Sequence, residues 1–298
     1  MVRNLLRKSG YACRIYLCGS LLAEFETESQ GFIFGGSFMG ALLRAEHVSI
    51  SYNGTEVVKD LNFELNEGEI LGIVGESGSG KSTIIKAVMG LLGRNGMVTR
   101  GDIFYKDMNI VDMPEKEKRR LFGPEIAMVF QDCKAALCPV RKISSQIYEQ
   151  MREHMNISKK EALFAVSEIM KKVGLTDCDR ILDSYPFELS GGMNQRVGIC
   201  MAMAMKPKLL LADEPTSALD VTVQKQVVDE MLMLRWEYNT SVVIVTHNMG
   251  VARRMADKIL VLKDGKTEEY GNSGYVLEHS KNRYTKELMG SVLHLNRE

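Results

Sequence analysis

The sequence lacks an excess of charge of either sign. Lys and Arg together number 38, and Asp and Glu also number 38, so the formal net charge is zero. Proteins that bind nucleic acid usually depend on a basic field, and this balance therefore predicts no nucleic-acid partner. A local basic patch would still be compatible with the composition.

Cysteine is scarce and is not arranged in C-x-x-C pairs. A chain of 298 residues does not need disulfides for stability, so we expect free thiols in a reducing, cytosolic compartment. The cysteines are Cys13, Cys18, Cys133, Cys138, Cys178 and Cys200.

Long hydrophobic runs are also missing. No stretch of about 18 apolar residues occurs, so we expect no segment that spans a bilayer, and any membrane-spanning part would come from another chain. Residues 1–41 begin with basic and apolar residues, but Arg14 interrupts the apolar stretch and no cleavage site follows. We predict that this segment is a poorly ordered extension, or that translation starts at Met39.

From Leu42 onward the sequence alternates between strand-like and helix-like segments. Buried-strand patterns such as "ILGIV", "LLLAD" and "SVVIV" are separated by helical patterns, which predicts a largely parallel sheet with helices around it. Helical patterns dominate about residues 135–188, where Ser158 and Glu161 form a capping box and Gly174 ends the helix. We therefore predict an α/β core with an inserted helical subdomain.

A phosphate loop is the most specific motif. The stretch "GESGSGKST" fits G-x4-G-K-S, follows a predicted strand and precedes a predicted helix, a context that argues against a chance glycine-rich turn. Its backbone N–H groups would point at phosphate oxygens, Lys81 would reach the β and γ oxygens, and Ser82 would bind Mg²⁺. The predicted nucleotide-binding residues are Gly75, Glu76, Ser77, Gly78, Ser79, Gly80, Lys81, Ser82 and Thr83.

Three further apolar strands lead directly into residues that could carry chemistry. Asp213 and Glu214 follow "LLLA", where Asp213 suits a water-mediated Mg²⁺ contact and Glu214 a base that polarises the attacking water. His247 follows "SVVIVT", and Gln131 follows "IAMVF", where its amide could touch Mg²⁺ or that water. Each would be unremarkable alone, but their convergence at one sheet edge favours a catalytic site.

A second glycine-rich stretch, "LSGGMNQR", lies far from the phosphate loop. Ser190 would cap a helix, and Gly191 and Gly192 would leave N–H donors free at its positive end, which suits an anion. Taken alone, this stretch could also be a helix cap without a ligand.

In this order, the motifs resemble those of ATP-binding-cassette ATPases over about residues 42–274. The resemblance implies a P-loop core of ABC type, an antiparallel β subdomain and the helical insertion, with ATP and Mg²⁺ as cofactors. It implies that Tyr52 stacks on adenine. It also implies that Ser190, Gly191, Gly192 and Ser217 to Asp220 face ATP held by a second ABC ATPase, in a head-to-tail pair.

Longer stretches are similar to the peptide and nickel importer branch of that family, among them "SYPFELSGGMNQRV" and "NRYTKEL". This resemblance implies a peripheral ATPase at the cytoplasmic face of the membrane, two permeases and an external solute-binding protein. It also makes residues 275–298 a C-terminal segment of that branch. Cys133 and Cys138 stand where the branch usually has proline and asparagine, and Asn282-Arg283 replaces its His-Pro. We expect the two cysteines to be packing residues rather than metal ligands.

Two other functions would use part of the same motifs. A soluble, non-transport cassette ATPase acting on ribosomes or DNA usually has two cassettes or a long coiled coil, whereas this chain has one compact cassette. A nucleotide sensor without hydrolysis would not need Glu214 and His247. Export instead of import stays open, and so does the cargo, because cargo touches the other subunits.

Overall fold

The computed structural model describes residues 40–217 and 219–290. The predictions for the N-terminal extension therefore lie outside the described residues, apart from its last two positions. The strands are β1 (Leu43–Tyr52), β2 (Thr55–Leu65), β3 (Ile70–Val74), β4 (Gly96–Tyr105), β5 (Met108–Asn109), β6 (Ile126–Val129), β7 (Leu209–Asp213), β8 (Ser241–Thr246), β9 (Lys258–Lys263) and β10 (Lys266–Asn272).

Helices follow β3, β5, β6, β7 and β8, and two more follow β10. They are α1 (Lys81–Val88), α2 (Glu115–Leu121), α3 (Cys133–Ala136), α4 (Ile143–His154), α5 (Lys159–Lys172), α6 (Cys178–Asp183), α7 (Gly191–Met203), α8 (Val221–Tyr238), α9 (Met249–Met255), α10 (Ser273–His279) and α11 (Arg283–Gly290). Among the described helices, none has both the length and the apolar composition required to cross a bilayer.

The strands form two sheets. A six-stranded sheet has the order β10-β9-β3-β8-β7-β6, in which β9, β3, β8, β7 and β6 are parallel and β10 joins β9 as an antiparallel edge. A four-stranded antiparallel sheet has the order β2-β1-β4-β5. The predicted α/β class with an antiparallel β portion is therefore confirmed.

The central strands explain where a site can form. β3, β7 and β8 are buried along their whole length, as their apolar sequences predict for a parallel sheet covered on both faces. Their carboxyl ends lie at one edge, which is where open α/β sheets bind ligands. The turn at Asp264-Gly265 connects β9 to β10, as predicted from the sequence.

The stretch between β6 and β7 carries the helices α3 to α7. Ser158 caps α5, and the predicted capping box with Glu161 is present in both directions. Buried residues of α4, α5 and α7 pack in the same hydrophobic cluster as Leu210 and Ala212 of β7. The domain boundaries at 41/42, 135–188 and 274/275 stay predictions, and the last of them falls inside α10.

Candidate functional site

The phosphate loop, Gly75–Thr83, connects β3 to α1. Gly75 has φ of +153°, and a Cβ there would lie 2.1 Å from the carbonyl oxygen of Leu262 in β9, so only glycine fits beneath the loop. Gly80 has φ of +101° and caps α1. These glycines allow the chain to wrap tightly around the start of the helix.

Lys81 is the first residue of α1 and is buried. Its Nζ donates hydrogen bonds to the carbonyl oxygens of Gly75 at 2.8 Å and Glu76 at 2.6 Å. Burial lowers the pKa of Lys81, whereas the carboxylates of Glu214 and Asp213 raise it. The loop therefore holds a buried cation against the carbonyl oxygens of two successive residues.

Ser82 and Asp213 join the phosphate loop to the end of β7. The Ser82 hydroxyl donates to Asp213 Oδ1 at 2.6 Å. Burial raises the pKa of Asp213, and the hydrogen bond from Ser82 lowers it. A hydroxyl and a carboxylate thus lie together as two hard oxygen donors, and the Mg²⁺ site itself stays a prediction.

Glu214 follows directly after β7 in a left-handed backbone conformation, with φ of +43°. This conformation is uncommon for a residue with a side chain, and strain of this kind is often found at functional sites. Its backbone N–H donates to the carbonyl oxygen of Val245 in β8 at 2.9 Å. Its Oε2 lies 3.0 Å from His247 Nδ1, so the two predicted catalytic side chains form a hydrogen-bonded pair.

An open cleft of about 590 Å³ brings the predicted residues together. Its walls come from the phosphate loop and from the ends of β6, β7 and β8. The lining residues are Val57, Gly75, Glu76, Ser77, Gly78, Gly80, Lys81, Ser82, Thr83, Gln131, Glu214, His247 and Leu288. Ser79 belongs to the loop but is buried, and its Oγ has no hydrogen-bond partner among the described residues.

Gln131 stands on an exposed segment after β6 that contacts α7. Gln195 of α7 donates to the carbonyl oxygen of Phe130 at 3.4 Å. Cys133 is buried against Gly198 of the same helix, where a Cβ would lie 2.3 Å from the Cys133 sulfur. Cys138 instead donates its backbone N–H to Gln146.

The signature turn, Ser190–Gly192, opens α7. Ser190 Oγ accepts the Met193 N–H at 3.3 Å, and buried Asn194 donates to the carbonyl oxygens of Pro186, Leu189 and Ser190. In the described structure, none of the three residues of the turn lines the cleft above the phosphate loop. The two predicted anion cradles are therefore separate in space as well as in sequence.

Asp220 caps α8, beside the signature turn. Its Oδ1 accepts the Val223 N–H at 3.0 Å, and a Cβ on Gly192 would lie 3.1 Å from Val223 Cγ1. Ala218, within the predicted interface stretch, lies outside the described residues.

Tyr52, the residue predicted to stack on adenine, ends β1 with its ring against Gly96, and among the described residues it is not part of the cleft wall.

The sequence alone does not reveal several residues of the site. Val57 of β2 and Leu288 of α11 line the cleft, although neither belongs to a glycine-rich motif or follows a buried strand. Tyr284 accepts a hydrogen bond from the Glu76 N–H at 3.1 Å across a separation of 208 residues. The sequence signal for Tyr284 was only its place in the late "NRYTKEL" segment.

Comparison with known proteins agrees with this geometry. The profile of the ABC transporter family matches residues 58–217. The chain is 40% identical to the oligopeptide transport ATP-binding protein OppD of Escherichia coli over 262 residues, which cover 87% of this chain and 77% of that protein. It is 39% identical to the dipeptide transport ATP-binding protein DppD of Lactococcus lactis, over 83% of this chain and 71% of that protein.

Among solved structures, the chain resembles the ATP-binding cassette MJ0796 in a dimeric, post-hydrolysis state bound to ADP and Pi. The TM-score is 0.68 at 29% identity, and the match covers 78% of this chain and 98% of that one. The relatives and the solved structure indicate an ATP-binding cassette, and so do the fold and the phosphate loop. The chain belongs to the ABC transporter family and is one of its ATP-binding, ATP-hydrolysing subunits.

Proposed function

We propose that this chain hydrolyses ATP to power the import of peptides through partner membrane permeases. One observation supports the hydrolytic role above all others: buried Lys81, the Ser82–Asp213 pair and the Glu214–His247 pair converge on one cleft at the carboxyl edge of the sheet. The identity of about 40% to peptide-transport ATP-binding proteins supports the transport role.

The residues present fit a magnesium nucleotide. The phosphate loop holds the Lys81 ammonium against the Gly75 and Glu76 carbonyl oxygens, and Ser82 and Asp213 would supply oxygen ligands of the kind that Mg²⁺ takes. When bound, Mg²⁺ would neutralise charge on the β- and γ-phosphate oxygens. Lys81 would exchange part of its hydrogen bonding with backbone carbonyls for bonds to those oxygens. Tyr52, at the end of β1, is proposed to stack on adenine.

Glu214 is proposed as the base for hydrolysis. Its carboxylate would take a proton from the attacking water as the oxygen–phosphorus bond forms and the bond to ADP breaks. His247, at 3.0 Å from that carboxylate, would hold it in place, and Gln131 would orient the water from the other wall of the cleft. The left-handed backbone at Glu214 fixes the start of this side chain.

The signature turn is proposed to act on a nucleotide in a second cassette. Its N–H groups and Asp220 stand at neighbouring helix starts, outside the cleft of their own chain. In a head-to-tail pair each turn would close over the γ-phosphate held by the other subunit, where exclusion of water strengthens the contacts. ATP would therefore stabilise the closed pair and hydrolysis would release it.

The assembly would place this chain at the cytoplasmic face of the membrane with a second ATPase, two permeases and a solute-binding protein outside. The described helices could not supply the membrane-spanning part themselves. The names of the relatives favour peptide over nickel as the cargo, and transport over a role on ribosomes or DNA.

Reconstitution in proteoliposomes tests this function. The chain, its permeases, the second ATPase and the solute-binding protein should take up labelled di- or oligopeptide only in the presence of ATP and Mg²⁺, and peptide should stimulate phosphate release. Replacing Lys81 with Ala should abolish both. Uptake of Ni²⁺ in place of peptide would overturn the cargo, and co-purification with ribosomes instead of permeases would overturn the transport role.

A further inference from the structure

The last described helix, α11, reaches back to the phosphate loop. Tyr284, at its second position, accepts the backbone N–H of Glu76 at 3.1 Å, and Tyr284 is only 5% exposed. One turn further along α11, Leu288 lines the cleft above the loop. The C-terminal segment is therefore in contact with the loop that is proposed to hold the phosphates.

The position of Tyr284 is fixed from several sides. Asn282 Oδ1 accepts the N–H groups of Tyr284 and Thr285, at 2.8 Å and 3.2 Å, and so caps α11. Thr285 is fully buried, and its hydroxyl donates to Glu269 Oε2 at 2.7 Å. The Tyr284 ring packs in a cluster with Val74 and Val261, and Lys263 Nζ lies 4.5 Å from the ring centre. The hydroxyl is thus held at a defined point beneath the loop.

The hydrogen bond from Glu76 involves the same peptide group that Lys81 contacts. The N–H of this group belongs to Glu76 and its carbonyl to Gly75, and the Gly75 carbonyl accepts Lys81 Nζ at 2.8 Å. A single peptide plane therefore has Tyr284 at one end and Lys81 at the other. Bonds linked through one peptide polarise each other, and rotation of the plane would break both of them.

We propose that Tyr284 is a positioning residue for phosphate binding: it fixes the Gly75–Glu76 peptide, which in turn sets the place of the Lys81 ammonium. This inference rests on the proposed role of the phosphate loop in binding ATP. It adds the C-terminal helix, which no glycine-rich motif marks, to the machinery of the nucleotide site.

Replacing Tyr284 with Phe removes only the hydroxyl and tests the inference in the full-length protein. Loss of one neutral hydrogen bond should raise the Kd of ATP roughly 2- to 10-fold. In the assembled transporter the KM for ATP should rise with it, whereas kcat at saturating ATP should stay unchanged, because Glu214 and His247 are untouched. A purely structural role for Tyr284 would lower the melting temperature without this split between KM and kcat.

Tyr275→Phe is the matched control, because Tyr275 stands in α10 as an exposed residue whose ring lies 6.0 Å from that of His279. This variant should bind ATP as the wild type does. Lys81→Ala distinguishes failure of the inference about Tyr284 from failure of the proposed function in ATP hydrolysis. If Lys81→Ala loses ATP binding while Tyr284→Phe keeps the wild-type Kd, the inference fails and the proposed function stands. If Lys81→Ala binds ATP normally, the proposed function itself fails.

Hydrogen exchange gives a second test that needs no variant. The Glu76 N–H donates to a buried acceptor in the nucleotide-free protein, so its exchange should be slow compared with that of the neighbouring Ser77 and Gly78 amides. Exchange of Glu76 at the rate of those two amides would contradict the proposed contact, even if Tyr284→Phe could not be purified in folded form.

Discussion

The phosphate loop and the signature turn use the same backbone device in opposite surroundings. Both place glycines and N–H groups at the start of a helix, α1 and α7 respectively. The phosphate loop contains buried Lys81, its Ser82 hydroxyl contacts the Asp213 carboxylate, and Glu214 lines the same cleft. The signature turn is largely exposed, its hydrogen bonds stay within its own segment, and the nearby Arg196 pairs with Glu230 instead.

This difference shows what a glycine-rich helix start can do alone. A helix N-terminus contributes about 1 kcal/mol to anion binding at an exposed site, which is too little to hold a nucleotide. The phosphate loop adds a desolvated cation and a metal-binding pair, so it can bind its ligand within one chain. The signature turn offers its backbone N–H groups and the Ser190 hydroxyl, without a buried cation or a metal-binding pair, so it needs a phosphate already presented by another surface.

The largest effect should come from Glu214→Gln, which removes the base and leaves both cradles intact. We expect kcat for ATP hydrolysis to fall about 10²- to 10⁴-fold, with the Kd of ATP retained. The variant should also accumulate a closed, ATP-bound pair. Phosphate release measures the turnover, and light scattering measures the mass of the pair. Glu153→Gln, at an exposed position of α4, is the control and should turn over normally. Normal turnover by Glu214→Gln would show that the base is another group.

Lys81→Ala should make the phosphate loop resemble the signature turn by leaving only backbone donors. Two charge-assisted hydrogen bonds of about 1.5–3 kcal/mol each would be lost, so the Kd of ATP should rise about 100-fold or more. Titration calorimetry measures this change. Lys160→Ala, on the exposed face of α5, should leave the affinity unaltered. Retention of wild-type affinity by Lys81→Ala would remove the contrast between the two cradles.

The stability of the protein should depend on pH through Glu230 of α8, which pairs with Arg196 of α7, the helix that begins at the signature turn. Burial raises the pKa of Glu230 to about 7, although Arg196 at 3.0 Å lowers it. Because the native state then binds more protons than the unfolded state between about pH 4.5 and 7, the free energy of unfolding should fall as pH rises through this window. The expected loss of unfolding free energy across this window is about 3 kcal/mol, since each pKa unit corresponds to about 1.4 kcal/mol.

Thermal unfolding of the wild type and of Glu230→Gln between pH 4.5 and 8 measures this dependence. The slope should shrink in Glu230→Gln. The slope should persist in the control variant Glu237→Gln. Glu237 is an exposed residue of the same helix, α8, and a hydrogen bond from Lys172 lowers its pKa. An identical slope in Glu230→Gln would mean that another buried group is responsible.

The smallest effect should come from Ser190→Ala. Loss of a helix N-cap costs about 1 kcal/mol, and loss of the contact to a phosphate in the pair should reduce ATPase activity of the assembled transporter roughly fivefold. ATP binding by the separate chain should stay unchanged. Ser158→Ala removes the cap of α5 at a comparable cost and should not affect ATPase activity. Weaker ATP binding by isolated Ser190→Ala would show that the turn serves its own cleft.

Local patterns in the sequence were sufficient for much of the fold. The capping box of Ser158 and Glu161, the turn at Asp264-Gly265 and the strand that ends on Asp213 depend on residues close to one another in the chain. Their structures therefore follow from short-range sterics and hydrogen bonding. The phosphate loop is readable for the same reason, because its conformation requires glycines at fixed spacing.

Contacts between distant segments were beyond such reasoning. Tyr284 and Glu76 meet only because α11 packs under β3 and β9, and Gln195 meets Phe130 only because α7 lies beside the segment after β6. The left-handed backbone of Glu214 likewise depends on its hydrogen bond to Val245 in a neighbouring strand. The residue types at these positions do not predict the contacts, since tyrosine, glutamine and glutamate occur in many environments.

The contact between Cys133 and Gly198 has a mechanical consequence. A Cβ at position 198 would lie 2.3 Å from the Cys133 sulfur, so α3 and α7 approach each other closely enough to require glycine there. The hydrogen bond from Gln195 to the Phe130 carbonyl oxygen is a second contact between the same two segments. A displacement of the segment after β6 is therefore expected to shift α7, whose first residues form the signature turn.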